Sequence, residues 1–290
     1  MYLVVGITGN VGGGAARLLL DGGHKVRALV RDPAKAAAWA DKGVELCVGD
    51  IGDAKSIARA LQGVQGAFVM LPPHHNPVED WADYRQFANN YRDAITQVPP
   101  RRVVVLSSFG SEKTKGLGLI TATHILETAL ADVQPPVAFI RAGGFLENNL
   151  SSFARARESG FFDTFYVPTD RPLACVATED ISKLAARLLL SEWSGKRYIE
   201  HGTGFSPDEL ARAMSEAAGR RIQARAIAEE QWPAVLARFG LPPAGVKAYC
   251  EMLRGVNAGW IAMGQPGTEP VAAATTPAVF FAKAVNGAVA

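Results

Sequence analysis

A glycine-rich turn near the amino terminus constrains the fold of this 290-residue chain more than any other feature. Residues 6–12, GITGNVG, lie between the apolar segment 2–5 and a stretch with apolar residues at helical spacing. A strand, a glycine turn and a helix in this order are the setting in which G-x-x-G-x-x-G spacing predicts dinucleotide binding. The alternative is a glycine-rich connection that binds nothing.

Each glycine of this turn has its own expected role. Gly6 permits the tight turn, and Gly9 lets the backbone approach a pyrophosphate because no Cβ stands in the way. Gly12 allows the helix to pack closely against the preceding strand. The unpaired N–H groups at the start of the helix would then face the anion.

Strand and helix patterns alternate through the first half of the chain. Apolar strands are predicted at 2–5, 25–30, 44–48, 67–71, 103–106 and 137–141. Because they are unbroken apolar runs, we expect both faces to be covered, as in an α/β fold with a doubly wound parallel sheet. From residue 142 the segments become shorter and irregular, which predicts a smaller carboxy-terminal α+β lobe. We place the nucleotide-binding domain at 1–148, with late sheet elements from about 172–205, and the interleaved substrate lobe at 149–290.

Local signals mark where several helices begin. Asp53 has the side chain and position of an N-cap. Ser206 and Glu209 form a capping box, with Pro207 at the first helical position. Thr276, followed by a proline, is expected to open a last short helix.

Composition and charge exclude several classes of protein. Lys and Arg total 30 against 28 Asp and Glu, so the chain lacks the basic excess of a nucleic-acid-binding protein. It has no secretory signal pattern and no run of 18 apolar residues, and we therefore expect a cytoplasmic protein without a membrane segment. Cys47, Cys175 and Cys250 lie in apolar stretches and are interpreted as buried, inert thiols. No zinc-type spacing is present, and no metal site is predicted.

Arg31 follows Gly12 by 19 residues, at the tip of the predicted second strand. An acidic residue at this point of the fold holds the ribose 2′-hydroxyl of NAD, whereas arginine suits the 2′-phosphate of NADP. Arg31, with Lys35 nearby, therefore predicts NADP(H) in preference to NAD(H). Asp32 is the competing influence, since its carboxylate could face the ribose.

Ligands of such sheets bind beyond the carboxyl ends of the strands, which selects further residues. Asp50 and Ile51 follow the third strand and are expected near the adenine. Leu71 and Pro72 end the fourth strand, where backbone should line the cofactor. Ser107 ends the fifth strand, where a polar role near the nicotinamide and simple loop capping are both open.

His74, in the loop after the predicted fourth strand, is expected over the mouth of the cleft, where it would touch substrate. It stands beside His75, and the pair invites a metal interpretation. Adjacent histidines point in different directions and no third ligand is at hand, so we do not predict a metal there.

Five motifs together resemble the NmrA-like branch of the atypical short-chain dehydrogenases/reductases. They are G-x-T-G-x-x-G at 6–12, V-R-D-P at 30–33, G-D at 49–50, S-S-x-G at 107–110 and R-A-G-G-F-L-E-N-N at 141–149. Their order and spacing match over roughly residues 1–230, and the chain looks most like the bacterial quinone oxidoreductase and azoreductase-like members. The resemblance implies a Rossmann domain, a small carboxy-terminal lobe and a nicotinamide cofactor in the cleft.

The resemblance also implies which residues contact the ligands. Together with the residues selected above, the expected cofactor set is Gly6, Thr8, Gly9, Asn10, Val11, Gly12, Arg31, Lys35, Asp50, Ile51, Leu71, Pro72 and Ser107. The expected substrate set, at the nicotinamide end, is His74, Phe109, Phe145, Asn148 and Asn149.

The chain departs from the wider family at the catalytic residues. No tyrosine has a lysine four residues later, so the usual Tyr–Lys acid–base pair is absent. Many NmrA-like proteins carry a lysine four residues before a glutamate, and here Thr123 stands at that distance from Glu127. His124, beside it, is the candidate proton donor or ribose contact, with a merely hydrogen-bonded histidine as the alternative. Ser107 is the second catalytic candidate.

Two functions remain open at this point. The first is an NADPH-dependent reductase of flat, electron-poor small molecules such as quinones, since direct hydride transfer needs little beyond positioning. The second is a non-catalytic redox sensor that binds the dinucleotide and regulates a protein partner. We favour the reductase because the chain has no regulatory tail. A homodimer is compatible with both.

Overall fold

The computed structural model describes residues 1–72 and 76–287, and an eight-stranded parallel sheet lies at its centre. The strands of this sheet are β1 (Tyr2–Val5), β2 (Val26–Val30), β3 (Glu45–Val48), β4 (Gly66–Val69), β5 (Arg102–Ser108), β6 (Val137–Ala142), β10 (Lys196–His201) and β13 (Glu269–Val271). Their spatial order is β13-β10-β6-β5-β4-β1-β2-β3. The chain therefore starts in the interior of the sheet at β1, adds β2 and β3 on one side, and then continues with β4 on the other side of β1. This switch in strand order creates a crevice at the carboxyl ends of the strands.

Helices cover both faces of this sheet. The helices are α1 (Asn10–Asp21), α2 (Ala37–Ala40), α3 (Ala54–Leu61), α4 (Ala82–Gln97), α5 (Thr121–Leu130), α6 (Leu150–Ser159), α7 (Thr178–Leu190), α8 (Pro207–Ala218), α9 (Trp232–Arg238), α10 (Pro243–Asn257) and α11 (Pro277–Val285). One core lies between the sheet and α1 and α7, and a second lies between the sheet and α3, α4 and α5. Alternate strand residues, such as Val4 and Leu3, enter opposite cores. The predicted doubly wound sheet is confirmed.

The rest of the chain forms smaller sheets and helices. β7 (Gly144–Phe145), β9 (Leu173–Val176) and β11 (Thr203–Phe205) form one sheet, and β8 (Phe161–Thr164) pairs with β12 (Gln223–Ala226). A separate core collects Phe153, Phe162, Met214, Phe280 and Phe281. The predicted smaller α+β lobe is therefore present, and the domain boundaries stay a prediction.

The predicted helix starts are confirmed. The carboxylate of Asp53 accepts hydrogen bonds from the backbone N–H groups of Lys55 and Ser56. Ser206 and Glu209 form the reciprocal capping box, with donor–acceptor distances of 3.2 and 2.7 Å. Thr276 caps α11. Between β2 and β3 the chain forms a 3₁₀ turn, Ala34–Ala36, followed by the single turn of α2.

β13 was not predicted, because it is short and contains Pro270. It pairs only with β10, at the edge of the sheet, and an edge strand tolerates a residue without an N–H group. None of the helices within the described residues combines the length and apolarity needed to cross a membrane.

Candidate functional site

The glycine turn connects β1 to α1 at the crevice of the sheet. Gly6 has a φ of +75°, a left-handed conformation that favours glycine. A Cβ on Gly12 would stand 2.7 Å from the carbonyl carbon of Gly6 and 3.0 Å from the oxygen of Val5, so α1 packs on the strand at a distance that only glycine permits. A Cβ on Gly9 would meet only the oxygen of Gly6, at an ordinary 3.4 Å. The space that a side chain at Gly9 would occupy is therefore open.

The start of α1 is suited to an anion. Gly9 is the N-cap and has no side chain to cap the helix, and no acidic residue lies in the first turn. The positive end of the helix dipole is therefore not neutralised by the helix itself. Thr8 and Asn10 are exposed on this turn, and Val11 is buried beneath it.

Arg31 and Asp50 come together beyond the ends of β2 and β3. Their side chains form an ion pair with 3.7 Å between Nε and Oδ2, and the side chain of Arg31 remains 79% exposed. Asp32 is engaged locally, because its Oδ1 accepts a hydrogen bond of 3.0 Å from the N–H of Ala34. Lys35 is exposed on the following turn. An accessible guanidinium and an exposed carboxylate with one oxygen bound in its own turn thus share this corner of the site.

Helix α4 holds the loops that carry the other expected cofactor residues. Asn90 donates to the carbonyl oxygen of Ile51 at 2.9 Å, and the hydroxyl of Tyr91 donates to the carbonyl oxygen of Met70 at 3.0 Å. The hydroxyl of Tyr84 lies 3.3 Å from the carbonyl oxygen of Pro72. Burial raises the pKa of Tyr91, which keeps its hydroxyl protonated as a donor. These polar contacts were not predicted, since aromatic residues at helical spacing are interpreted first as core.

A buried polar network lies at the end of β5. The hydroxyl of Ser107 lies 2.5 Å from Oε1 of Glu127, and Glu127 accepts two hydrogen bonds from Arg141, at 3.0 and 2.7 Å. Nη1 of Arg141 is also 3.3 Å from Glu112. Burial acts to lower the pKa of Arg141, but its hydrogen bonds to Glu127 and the charges of Glu127 and Glu112 outweigh burial, so the pKa is raised. The network joins β5, β6 and α5.

His124 is attached to the same network. Its Nδ1 lies 2.8 Å from the carbonyl oxygen of Ser111, and because a carbonyl only accepts, Nδ1 carries the proton. Nε2 is then the ring atom left to exchange a proton. Thr123 donates to the carbonyl oxygen of Ile120 at 2.9 Å and contacts Oγ of Ser111 at 2.7 Å. The hydroxyls of Ser111 and Thr123 therefore form a hydrogen-bonded chain that ends on the carbonyl oxygen of Ile120. This chain fixes α5 to the loop after β5.

The structure separates the two adjacent serines at the end of β5. Ser107 is buried against α5, whereas Ser108 is half-buried on the opposite face of the strand. The catalytic roles of Ser107 and His124 stay predictions.

The expected substrate residues lie in two groups. Phe109 is buried and packs with Leu117, Ile120 and Ile261. Phe145 is half-buried in β7, and the 3₁₀ turn that follows it, Leu146–Asn149, carries the two asparagines. His74 lies outside the described residues, as does the histidine pair considered for a metal.

Glu147 lies in the 3₁₀ turn Leu146–Asn149, and it was not identified from the sequence as a functional residue. Its Oε1 accepts hydrogen bonds from the N–H and the hydroxyl of Thr178, at 2.9 and 2.6 Å. Thr178 begins α7, and Ser182 of α7 donates to the carbonyl oxygen of Val11 at 3.0 Å. The turn that carries Asn148 and Asn149 is therefore linked through α7 to the start of α1. No spacing in the sequence indicates this contact of Glu147. The one signal for it is the general preference of carboxylates for the start of a helix.

The cysteines correct one expectation. Cys175 and Cys250 are buried, and burial raises the pKa of Cys175 to about 12, which keeps its thiol protonated. Cys47 is only partly buried, because β3 is the last strand of the sheet and lacks a neighbour on one side. In residues 1–72 and 76–287, no three His, Cys, Asp or Glu side chains converge in a metal-binding arrangement.

Comparisons with known proteins agree with this fold. The model of the NmrA-like family matches residues 2–255. The NAD(P)H azoreductase of Xenophilus azovorans is 27% identical over 255 residues, which cover 87% of this chain and 86% of that protein. Quinone oxidoreductase 2 of Escherichia coli strain K12 is 27% identical over 248 residues, 83% of each protein. The structure of Citrobacter sp. triphenylmethane reductase complexed with NADP(H) has the same fold, with a TM-score of 0.81 at 22% identity over 100% of both chains.

Proposed function

Because this chain belongs to the NmrA-like family, we propose that it is an NADPH-dependent reductase of flat, electron-poor small molecules such as quinones. The match over residues 2–255 confirms the family that the five motifs predicted. The relatives described above are reductases of azo compounds and quinones by name. The proposal extends that reaction class to this chain.

The uncapped start of α1 above Gly9 carries the proposal. A pyrophosphate brings negative charge and several acceptor oxygens, and the first turn of α1 offers backbone donors that its N-cap residue, Gly9, has no side chain to occupy. A side chain at Gly9 would enter open space, and the fold gives no packing reason for glycine there. The residues present therefore fit a dinucleotide.

The corner at Arg31 supports NADP(H) over NAD(H). The exposed guanidinium is available for a 2′-phosphate, whereas the carboxylate of Asp32 is engaged with its own turn. Asp50 is the nearest counter-charge to Arg31 and would be partly displaced by a phosphate.

The described residues are arranged to position a reaction. Bound NADPH supplies the hydride, and a quinone also needs a proton to complete its reduction. Nε2 of His124 is the group of α5 that can hold that proton, since Nδ1 is fixed on Ser111. The pair of Glu127 and Arg141 keeps α5, and with it His124, in place against β5 and β6.

A sensor that binds the cofactor without turnover is the second candidate. Thr123 in place of a lysine and the buried hydroxyl of Ser107 favour it, because they remove two polar groups from the acceptor side. Anaerobic NADPH consumption over a panel of quinones, azo dyes and aldehydes, together with calorimetry of NADPH binding, distinguishes the two. Turnover of quinones supports the reductase. Tight binding of NADPH without turnover of any acceptor supports the sensor.

A further inference from the structure

The loop after α10, residues 258–268, lies against the carboxyl edge of the sheet and is called the closing loop here. It is anchored by Glu200, a buried carboxylate at the end of β10. Oε2 of Glu200 accepts a hydrogen bond of 2.7 Å from the N–H of Gly264, and Oε1 accepts one of 3.0 Å from Gln265. Charged acceptors bind backbone N–H groups more strongly than neutral ones, so this loop is held firmly in place.

The strand register gives the position of this anchor. Glu200 pairs with Arg141 of β6, and Arg141 pairs with Ser107 of β5. The three side chains therefore form a row across the ends of three neighbouring strands, on the face that α5 covers. The closing loop thus continues the edge at which the nicotinamide end of the cofactor is expected.

The closing loop also packs on the loop that follows β5. Ile261 contacts the buried Phe109, one of the expected substrate residues, and a Cβ on Gly110 would lie 3.0 Å from Cγ2 of Ile261. Nε1 of Trp260 donates to the carbonyl oxygen of Lys115 at 3.0 Å. Nζ of Lys113 donates to the side chain of Gln265 at 3.0 Å and lies 4.7 Å from the centre of the Trp260 ring.

Two large apolar side chains of the closing loop remain open to solvent. Trp260 is 44% exposed and Met263 is 43% exposed, although both belong to a loop fixed by buried groups. Aromatic and thioether side chains in such positions are contact surfaces for flat ligands. The family match ends at residue 255, before both side chains.

We propose that the closing loop is the wall of the acceptor site and that Trp260 and Met263 select acceptors with two or more flat rings, fused or linked. This inference rests on the proposed reductase function and adds a substrate class to it. A single small ring would be held mainly over the nicotinamide, whereas a fused or linked second ring would extend onto Trp260.

The test compares Trp260→Ala, Trp260→Phe and Met263→Ala with Phe239→Ala, an exposed aromatic on a different element, after α9. The acceptors are 1,4-benzoquinone, menadione and methyl red. Loss of a stacking contact should raise KM for menadione and methyl red by about 3- to 10-fold in Trp260→Ala. The increase in KM should be smaller in Met263→Ala. Trp260→Phe should recover most of the loss. KM for benzoquinone, the Kd of NADPH and all values for Phe239→Ala should stay within about 2-fold.

Equal effects on one-ring and two-ring acceptors, or none, would overturn the inference. Binding without turnover separates it from the proposed function: menadione is titrated by calorimetry into protein saturated with NADP⁺. Binding that weakens in Trp260→Ala supports the acceptor wall even where no acceptor is reduced. Failure of the wild-type protein to bind menadione would overturn it.

Discussion

The hydroxyl of Ser107 lies 2.5 Å from Oε1 of Glu127, and this contact ties the end of β5 to α5 inside the protein. Glu127 binds Arg141 of β6 at the same time. The candidate catalytic helix is therefore fixed by a buried ion pair, which also joins the ends of β5 and β6 beside the expected nicotinamide position.

Removing Glu127 should destabilise the protein strongly. In Glu127→Ala the guanidinium of Arg141 stays buried beside Glu112 alone, and breaking a buried pair in this way costs about 3–5 kcal/mol. Glu45→Ala is the control, because its pair with Arg27 is 51% exposed on the glutamate side and should contribute at most about 1 kcal/mol. Urea denaturation measures both. Similar losses in the two variants would contradict the structural role of Glu127.

His124 should contribute modestly to quinone reduction. His124→Ala removes Nε2 as a proton carrier, and the expected loss in kcat is at most about 10²-fold, the lower end for acid–base catalysis. His124→Asn is the matched variant, because its amide can still donate to the carbonyl oxygen of Ser111 but cannot supply a proton. Equal losses in both variants indicate proton donation. Recovery in His124→Asn would show that the histidine only positions the loop.

The charge of Asp53 should stabilise the protein in a pH-dependent manner. Hydrogen bonds from Ser56 and from the N–H of Lys55 lower the pKa of this carboxyl in the folded state. A group whose pKa is lower in the folded state stabilises it fully above the unfolded pKa, and the effect is lost as the pH falls through the folded value. Asp53→Asn keeps a good N-cap without the charge. Its Tm should lie below the wild-type Tm at pH 7, and the two should converge below pH 4. A constant difference would contradict this.

The sequence predicted the elements whose pattern is local. The apolar strands, the cap at Asp53 and the capping box at Ser206 each depend on residues within a few positions of one another, and all three are present. The glycine turn also belongs to this class, because its spacing combines a turn with a close approach of helix and strand.

Contacts between distant residues were not predictable. Glu200 binds residues 64 and 65 positions away, and Glu147 caps a helix that begins 31 residues later. Neither contact leaves a periodic signal, since it depends on how complete elements pack. Ser107 illustrates the same limit: its position at a strand end was predictable, but which face it occupies depends on the register with β6.

Arg31 should determine the preference between the two cofactors. A charge-assisted bond to the 2′-phosphate contributes roughly 1.5–3 kcal/mol, or about 10- to 150-fold in affinity. Arg31→Ala should weaken NADPH by that factor and leave NADH nearly unchanged. Asp32→Ala is the control and should change neither affinity much, because this carboxylate is engaged with Ala34. A wild-type preference for NADH, or a larger effect of Asp32→Ala on NADH, would contradict the assignment.

Titration of NADPH into Gly9→Val by calorimetry tests directly whether the pyrophosphate binds at the start of α1. Gly9 has φ −95° and ψ 171°, a conformation open to valine, and a Cβ there meets only the oxygen of Gly6 at 3.4 Å. The variant should therefore keep a cooperative thermal transition, unlike Gly12→Ala, whose Cβ would collide with the backbone of residues 5 and 6. Folded Gly9→Val is expected to bind no NADPH, because the valine side chain fills the space that the pyrophosphate needs. Binding with unchanged affinity would show that the pyrophosphate lies elsewhere.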